Sequence, residues 1–346
     1  MTLPAMWIAV DAMGGDQAPR TVVEGACRAA AEDGVAVVLV GQRRLVEAEL
    51  DRLAPCRGTV EIVDAPDVVG MDEPATTALR RKPNASIRRC VELVEEGRAA
   101  ALVTAGNTGA ALVTAKMLIG TVAGVDRPAL AAVLPNATAR TVLLDVGANV
   151  DTRPSHLREF AVMGQCYAQE VLGVPRPRVG LLSIGEEETK GSDLTREVFR
   201  TLQVTDLDFV GNVEGGDVFS GRADVVVCDG FVGNAVLKSA EALADLAVGM
   251  LGREIQATWR TRLGYVLTRP AIERFRMNTD YAEYGAAPLL GLDGGCFIAH
   301  GRSNPRAIQS AVRRAVEFAQ ARVHLKIRDR LAELHSQEER VFAQPA

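Results

Sequence analysis

Four glycine-flanked phrases carry the side chains best suited to chemistry: Gly106-Asn107-Thr108-Gly109, Lys190-Gly191-Ser192-Asp193, Asp229-Gly230-Phe231-Val232-Gly233-Asn234 and His300-Gly301-Arg302-Ser303-Asn304. Each reads as the corner between a short apolar run and a helical pattern. Backbone N–H groups left free at a helix start form a ready anion site, and glycine lets a ligand approach the backbone closely. A lone lysine beside such glycines, Lys190, suits a phosphate or a thioester oxyanion. The plainer reading is a charged, solvated helix start, because Glu186, Glu187 and Glu188 stand just before it. Asn107 or Thr108 equally reads as a simple helix cap, as do Asn234 and Asn304 at their own corners. Gly230 and Gly233 read as making their corner open. Arg127, ahead of Pro128, reads as an anion clamp or a surface charge. A further phrase, Trp7 to Pro19, ends an apolar run in Asp11, then places Gly14, Gly15 and Asp16 before a helical pattern. Two more corners hold Asn149 and Asn212.

Familiar catalytic signatures are absent: there is no Walker A, G-x-G-x-x-G, H-E-x-x-H or G-x-S-x-G pattern. The four histidines (156, 300, 324, 335) are too scattered for a histidine-rich metal site. His324 and His335 read as solvated on a charged C-terminal helix, and His156, after Pro154-Ser155, as a structural residue at a helix start. Six cysteines without any C-x-x-C read as reduced cytosolic thiols. No metal and no cofactor is expected. A net charge of −5 and 4% aromatic residues argue against nucleic acid as a partner. The N-terminus lacks a secretory layout, and no run of about 18 apolar residues could span a bilayer.

The elements that must position these residues follow from periodicity. Short β-branched runs at 6–10, 35–40, 60–63, 101–104, 130–134, 141–145, 179–184, 208–210, 224–228 and 296–299 alternate with helical patterns. Such alternation predicts a three-layer α/β/α fold with a mostly parallel sheet. Ligands in such sheets bind at the carboxyl ends of the strands, where these polar glycine loops fall, so the loops are expected to converge on one crevice. A single domain over 1–340 is expected, with a soft boundary near 120–130 and a frayed tail after Gln337. Residues 231–276 hold no strand pattern and predict one long helix, or two jointed near Gly264 or Pro270. There Leu251, Ile255, Trp259, Leu263 and Val266 form one stripe, and residues 252–276 carry six arginines against two glutamates. A basic amphipathic segment over 241–276 suits a membrane surface or the packing of a dimer.

In collinear order over roughly residues 8–310, these phrases resemble the phosphate acyltransferases of bacterial phospholipid synthesis. The resemblance rests on the opening phrase, Ala105–Gly109, Asp126–Leu130, Asp145–Asp151, Gly185–Gly191, Val210–Glu214, Val227–Asn234, Glu283-Tyr284-Gly285 with Ala287–Gly291, and Ala299–Gly301. Departures are Ala286 for a common glycine, Ser192 for Asn, and Asn84-Ala85-Ser86 for Asp-Ser-Ser. The resemblance implies a fold like phosphotransacetylase and the isocitrate dehydrogenases, a cytosolic homodimer, and peripheral membrane contact. It also implies transfer of a long-chain acyl group from acyl carrier protein to inorganic phosphate, and delivery of the acyl phosphate to a membrane glycerol-3-phosphate acyltransferase. Arg80, Arg81, Lys82, Arg88 and Arg89 are candidates for the carrier's landing site.

That chemistry suits these residues. Phosphate is already an anion, and a thiol of pKa about 8.5 leaves readily, so positioning and oxyanion donors suffice without a triad. Phosphate is assigned to the Asn107–Gly109 loop with Lys190 balancing its charge. His300, with Ser303 and Asn304, is assigned to the thioester oxyanion or the leaving thiolate, while Asp11, Asp16 and Asp229 orient the others. The alternatives are a coenzyme A-dependent phosphotransacetylase and a dehydrogenase of the same broad fold; a non-enzymatic membrane scaffold would leave the polar loops unexplained.

Overall fold

The computed structural model describes residues 6–53, 56, 58–279 and 285–342. Glu283 and Tyr284 lie outside them, as do the side chains of Arg274, Arg276 and His335. Eleven strands are described: β1 (Trp7–Asp11), β2 (Ala36–Gly41), β3 (Val60–Asp64), β4 (Ala101–Thr104), β5 (Ala129–Pro135), β6 (Arg140–Leu144), β7 (Arg178–Leu182), β8 (Asp208–Val213), β9 (Val225–Val227), β10 (Ala286–Leu290) and β11 (Gly295–Ala299). The helices are α1 (Arg20–Glu32), α2 (Arg43–Arg52), α3 (Ala75–Arg81), α4 (Ser86–Glu95), α5 (Thr108–Leu118) and α6 (Pro154–Glu170). They continue with α7 (Asp193–Gln203), α8 (Asp217–Ser220), α9 (Gly230–Ala257), α10 (Trp259–Thr279), α11 (Pro305–Ala321) and α12 (Val323–Phe342).

One sheet joins all eleven strands in the order β3-β2-β1-β4-β11-β10-β5-β6-β9-β7-β8. Successive residues of β1 show why it is sandwiched: Ile8 and Val10 enter the core under α1 and α11, while Ala9 enters the one under α4 and α5. A strand buried on both faces reads as a continuous apolar run, as β2 does with Ala36-Val37-Val38-Leu39-Val40. Helices α1, α2, α6, α7, α11 and α12 cover one face, and α3, α4, α5, α8 and the first turns of α9 cover the other. This is the three-layer, mostly parallel architecture expected.

Direction matters more than layering here. β3, β2, β1, β4 and β11 are mutually parallel, and so are β6, β9, β7 and β8. β10 is antiparallel to both β11 and β5, and β5 is antiparallel to β6. The two parallel sets therefore run in opposite directions. Loops after β1, β4 and β11 gather at one edge of the sheet, and loops after β6, β7, β8 and β9 at the other. The single crevice expected for all of them holds only in part: Thr108 and His300 from the first edge and Gly147 and Asn234 from the second line one cavity at the seam, while Lys190 and Asn212 are not among its lining residues.

The halves meet at a narrow seam. β10 pairs with β5 only through Leu289–Leu130 and Leu290–Ala129. Toward Ala286 on one strand and Pro135 on the other, the ladder opens. β10 was missing from the sequence reading because Gly285, Pro288 and Gly291 look like turn residues; Pro288 is tolerated beside this short ladder.

Three further expectations are corrected. The long helical segment breaks at Thr258, whose extended backbone (φ −135°, ψ 160°) and Oγ1, accepting from Thr261 N–H at 3.2 Å, restart the helix as α10; Pro270 lies inside α10. The stripe from Leu251 to Val266 is thus split between two helices. His324 is half-buried and stacked on Phe318, and burial lowers its imidazole pKa. α12 continues to Phe342, past Gln337.

Candidate active site

At the first edge, three loops are tied together around a buried carboxylate. Asp11 accepts from the Thr104 hydroxyl at 2.8 Å and from Met13 N–H at 3.2 Å, and Thr104 Oγ1 accepts from Gly106 N–H at 3.0 Å. Burial pushes the Asp11 carboxyl above its ordinary value. The loops touch so closely that a Cβ on Gly14 would lie 2.6 Å from Gly106 N. Asp16 N–H donates to Gly301 O at 2.8 Å, which adds the loop after β11, while Gly15 takes a left-handed φ of 110°.

Asn107 is spent on structure. Its Oδ1 caps α5 by accepting from Ala110 N–H at 3.0 Å, and its Nδ2 donates to the carbonyls of Gly70, Met71 and Glu73. The side chain therefore pins the 70–73 turn and cannot also hold a ligand. What it leaves is the helix start: the N–H groups of Thr108 and Gly109 have no acceptor among the described residues.

At the opposite edge the corner after β6 is built on Asp145, a residue the sequence reading did not select. Its fully buried carboxylate accepts from the N–H groups of Leu130, Gly147, Ala148 and Asn149 and from the Asn149 amide. Burial nevertheless raises its pKa. Asn149 is consumed here too, donating to Pro128 O at 2.8 Å. Asp229 caps α9 through Val232 N–H at 2.9 Å. Gly230 and Gly233 do not open this corner: a Cβ on either would strike Asn149 O or Asp145 O, at 2.5 and 1.8 Å. They let α9 seat directly on it.

From that seat α9 crosses the open seam toward the first edge. The space between encloses a cavity of about 380 Å³, within the range of small-ligand sites. Its wall is the unpaired face of β5, with Leu130, Ala132 and Leu134; its polar rim includes Thr108, Asn234 and His300. Two rim residues were not foreseen, Lys238 and Glu241. With Asn234 they follow the i, i+4, i+7 spacing of one helix face, a signal available once Asp229 is placed as the cap. His300 Nδ1 accepts from Arg302 N–H at 3.2 Å, so the neutral ring carries its proton on Nε2. Burial, and then the charge of Lys238, holds its pKa below the ordinary histidine value.

The whole chain has close relatives. A family described as "Fatty acid synthesis protein" matches residues 6–326. The "Phosphate acyltransferase" of Pelobacter propionicus is 49% identical over 331 residues, 95% of each chain. That of Pelotomaculum thermopropionicum is 49% identical over 323 residues, 93% of this chain and 94% of the other. The chain belongs to this phosphate acyltransferase family. It is accordingly an acyltransferase. The fold is shared more widely: a phosphotransacetylase from Streptococcus pyogenes superposes with a TM-score of 0.61 at 20% identity, covering 91% of this chain and 94% of the other. A branched-chain phosphotransacylase from Enterococcus faecalis V583 gives 0.55 at 15%, covering 91% and 99%.

In this acyltransferase the other selected residues lie as follows. Lys190 is exposed at the end of β7, with no ion pair to its neighbouring glutamates among the described residues; Glu186 pairs instead with Arg222 at 2.5 Å. β7 stands six positions from β4 in the sheet and ends at the opposite edge. Lys190 is not among the residues that line the cavity with Thr108. Asn212, on neighbouring β8, is buried and donates to Glu187 O at 2.9 Å. Arg127 donates to Asp151 O at 3.0 Å. Asn304 caps α11 through Ala307 N–H at 2.9 Å, and buried Ser303 Oγ has no hydrogen-bond partner. His156 is fully buried, bonded to Asp126 at 2.7 Å.

The helical arm exposes Leu243, Leu246, Met250 and Leu251 from α9, and Trp259, Leu263, Val266 and Leu267 from α10, with Ile255 half-buried. Among the described residues no helix is long and apolar enough to cross a membrane. Of the basic residues on α3 and α4, Lys82 pairs with Glu73, and Arg88 and Arg89 both pair with Glu92; Arg80 and Arg81 are exposed.

Proposed function

We propose that this cavity transfers a long-chain acyl group from an acyl-carrier-protein thioester to inorganic phosphate, giving acyl phosphate for a membrane glycerol-3-phosphate acyltransferase. The observation that carries the reading is a juxtaposition. The start of α5 at Thr108, an imidazole with its Nδ1 already accepting and an apolar strand face line one cavity. Oriented N–H groups take the phosphate, His300 faces the thioester oxygen, and the β5 wall receives apolar chain. The names of the relatives, and their match over nearly the whole chain, support the phosphate acceptor.

In the step itself, a phosphate oxygen attacks the thioester carbonyl carbon and forms a C–O bond. The carbonyl π pair moves to oxygen, where the His300 Nε2–H donates to it. Collapse of that oxyanion breaks the C–S bond, and the thiolate takes the proton that hydrogen phosphate gives up. Acyl phosphate and free carrier thiol result. Asp11, Asp145 and Asn107 hold the loops at fixed spacing and take no part in bond making.

The same reading includes a homodimer and docking of the α9–α10 arm on a membrane surface, supported by its exposed leucines and Trp259. Arg80 and Arg81 are the basic residues offered to an acidic carrier. Thiol release from palmitoyl acyl carrier protein, followed with and without phosphate and set against acetyl-CoA as donor, tests the reading. Release that ignores phosphate sinks it, and preference for acetyl-CoA replaces the donor.

A further inference from the structure

Lys190 was expected to be the cation for phosphate, and it is not among the residues lining the cavity. The anion cavity nevertheless has a cation of its own. Of the side chains lining it among the described residues, Lys238 carries the only fixed positive charge. Its side chain is half-exposed and its ammonium pairs with Glu241 Oε2 at 2.8 Å, while Glu241 is the more buried partner, at 22% exposure. Both sit on α9, whose first turns are locked to the Asp145 corner by Gly230 and Gly233. A lysine two turns beyond a seat that tight has its backbone fixed, and only its flexible stem can move. His300 and Thr108 line the same cavity.

We propose that Lys238 is the phosphate-binding cation of this cavity, and that Glu241 holds its ammonium at the rim until the anion arrives. The inference rests on the phosphate reading above. An exposed ion pair is weak, so an incoming dianion that also bonds the Thr108 and Gly109 N–H groups outcompetes a single carboxylate. Glu241 thus acts as a positioning residue through Lys238. His300 senses the pair: Lys238 lowers its pKa and Glu241 raises it, as do, in the same two senses, Arg302 and Asp16 from the adjoining loops.

Binding of radiolabelled inorganic phosphate to the full chain by equilibrium dialysis tests this without turnover, alongside KM for phosphate with palmitoyl acyl carrier protein. Lys238→Ala is expected to weaken phosphate binding and raise its KM about tenfold or more, the usual consequence of losing one charge-assisted hydrogen bond. Lys238→Arg recovers most of it, and Glu241→Gln binds phosphate as tightly as wild type or tighter. Unchanged thermal unfolding of each variant separates these effects from misfolding. Phosphate bound equally by wild type and Lys238→Ala, or by neither, overturns the proposal, as does a variant that loses kcat alone with KM unchanged. Lys238-dependent phosphate binding without acyl transfer upholds the site while removing the reaction assigned to it.

Discussion

A Cβ on Gly233 would lie 1.8 Å from the carbonyl oxygen of Asp145, so α9 reaches the β6 corner only because residue 233 has no side chain. The contact is with backbone, which cannot rotate aside. Gly233→Ala is expected to cost about 3 kcal/mol, the upper part of the overpacking range, read as a lower urea midpoint. Gly249→Ala, further along the same helix with nothing within 4 Å of its would-be Cβ, is expected to be neutral or to gain about 0.5–1 kcal/mol. Equal losses at both sites would contradict the seating of α9.

Asn107 uses its whole amide to cap α5 and hold the carbonyls of residues 70, 71 and 73. Asn107→Ala should therefore lower stability by about 1–2 kcal/mol and weaken phosphate binding by loosening the helix start. Chemical denaturation gives the first and phosphate titration the second. Full stability with lost binding would instead make Asn107 a direct ligand.

His300 should titrate below the ordinary histidine value of 6.5, because burial and then Lys238 disfavour its charged form. With four histidines in the chain, its ring signal is assignable by NMR from a His300→Asn spectrum. Lys238→Ala should move the midpoint up and Glu241→Gln should move it down. Since the folded pKa lies below the unfolded one, the unfolded chain binds this proton first, and native stability falls as pH drops through that window. A wild-type midpoint above 6.5 would contradict the geometry of the rim.

Trp259 and Leu263 are 70% and 56% exposed on α10. Replacing both by Asp should abolish flotation with anionic liposomes while leaving the cavity, and thiol release in solution, intact. Undiminished flotation would remove the arm from membrane contact.

Much of the fold was legible because strands buried on both faces, such as Ala36–Val40, leave continuous apolar runs. β10 was not, since Gly285, Pro288 and Gly291 imitate turns and its pairing is settled by distant strands. The site was legible in residue type and not in grouping. Thr108, Asn234 and His300 do line one cavity. Lys190 was chosen as a lone lysine beside glycines at a strand end, and it is not among the residues lining the cavity. Asn107, Asn149 and Asn304 carried the right donors, yet each is committed to a cap or a corner, the plainer reading of their sequence positions. Lys238 lay hidden because a lysine on a helix face looks solvated until the seat beneath that helix is known.

The central claim is that phosphate itself is the acyl acceptor in the cavity between β5 and α9. The most direct measurement is the ³¹P NMR spectrum of wild-type protein incubated with palmitoyl acyl carrier protein and inorganic phosphate, with carrier thiol counted in parallel. The account predicts a new acyl phosphate resonance that grows in step with free thiol, both disappearing when phosphate is omitted. Thiol released with only inorganic phosphate in the spectrum would mean that water is the acceptor, and would contradict it.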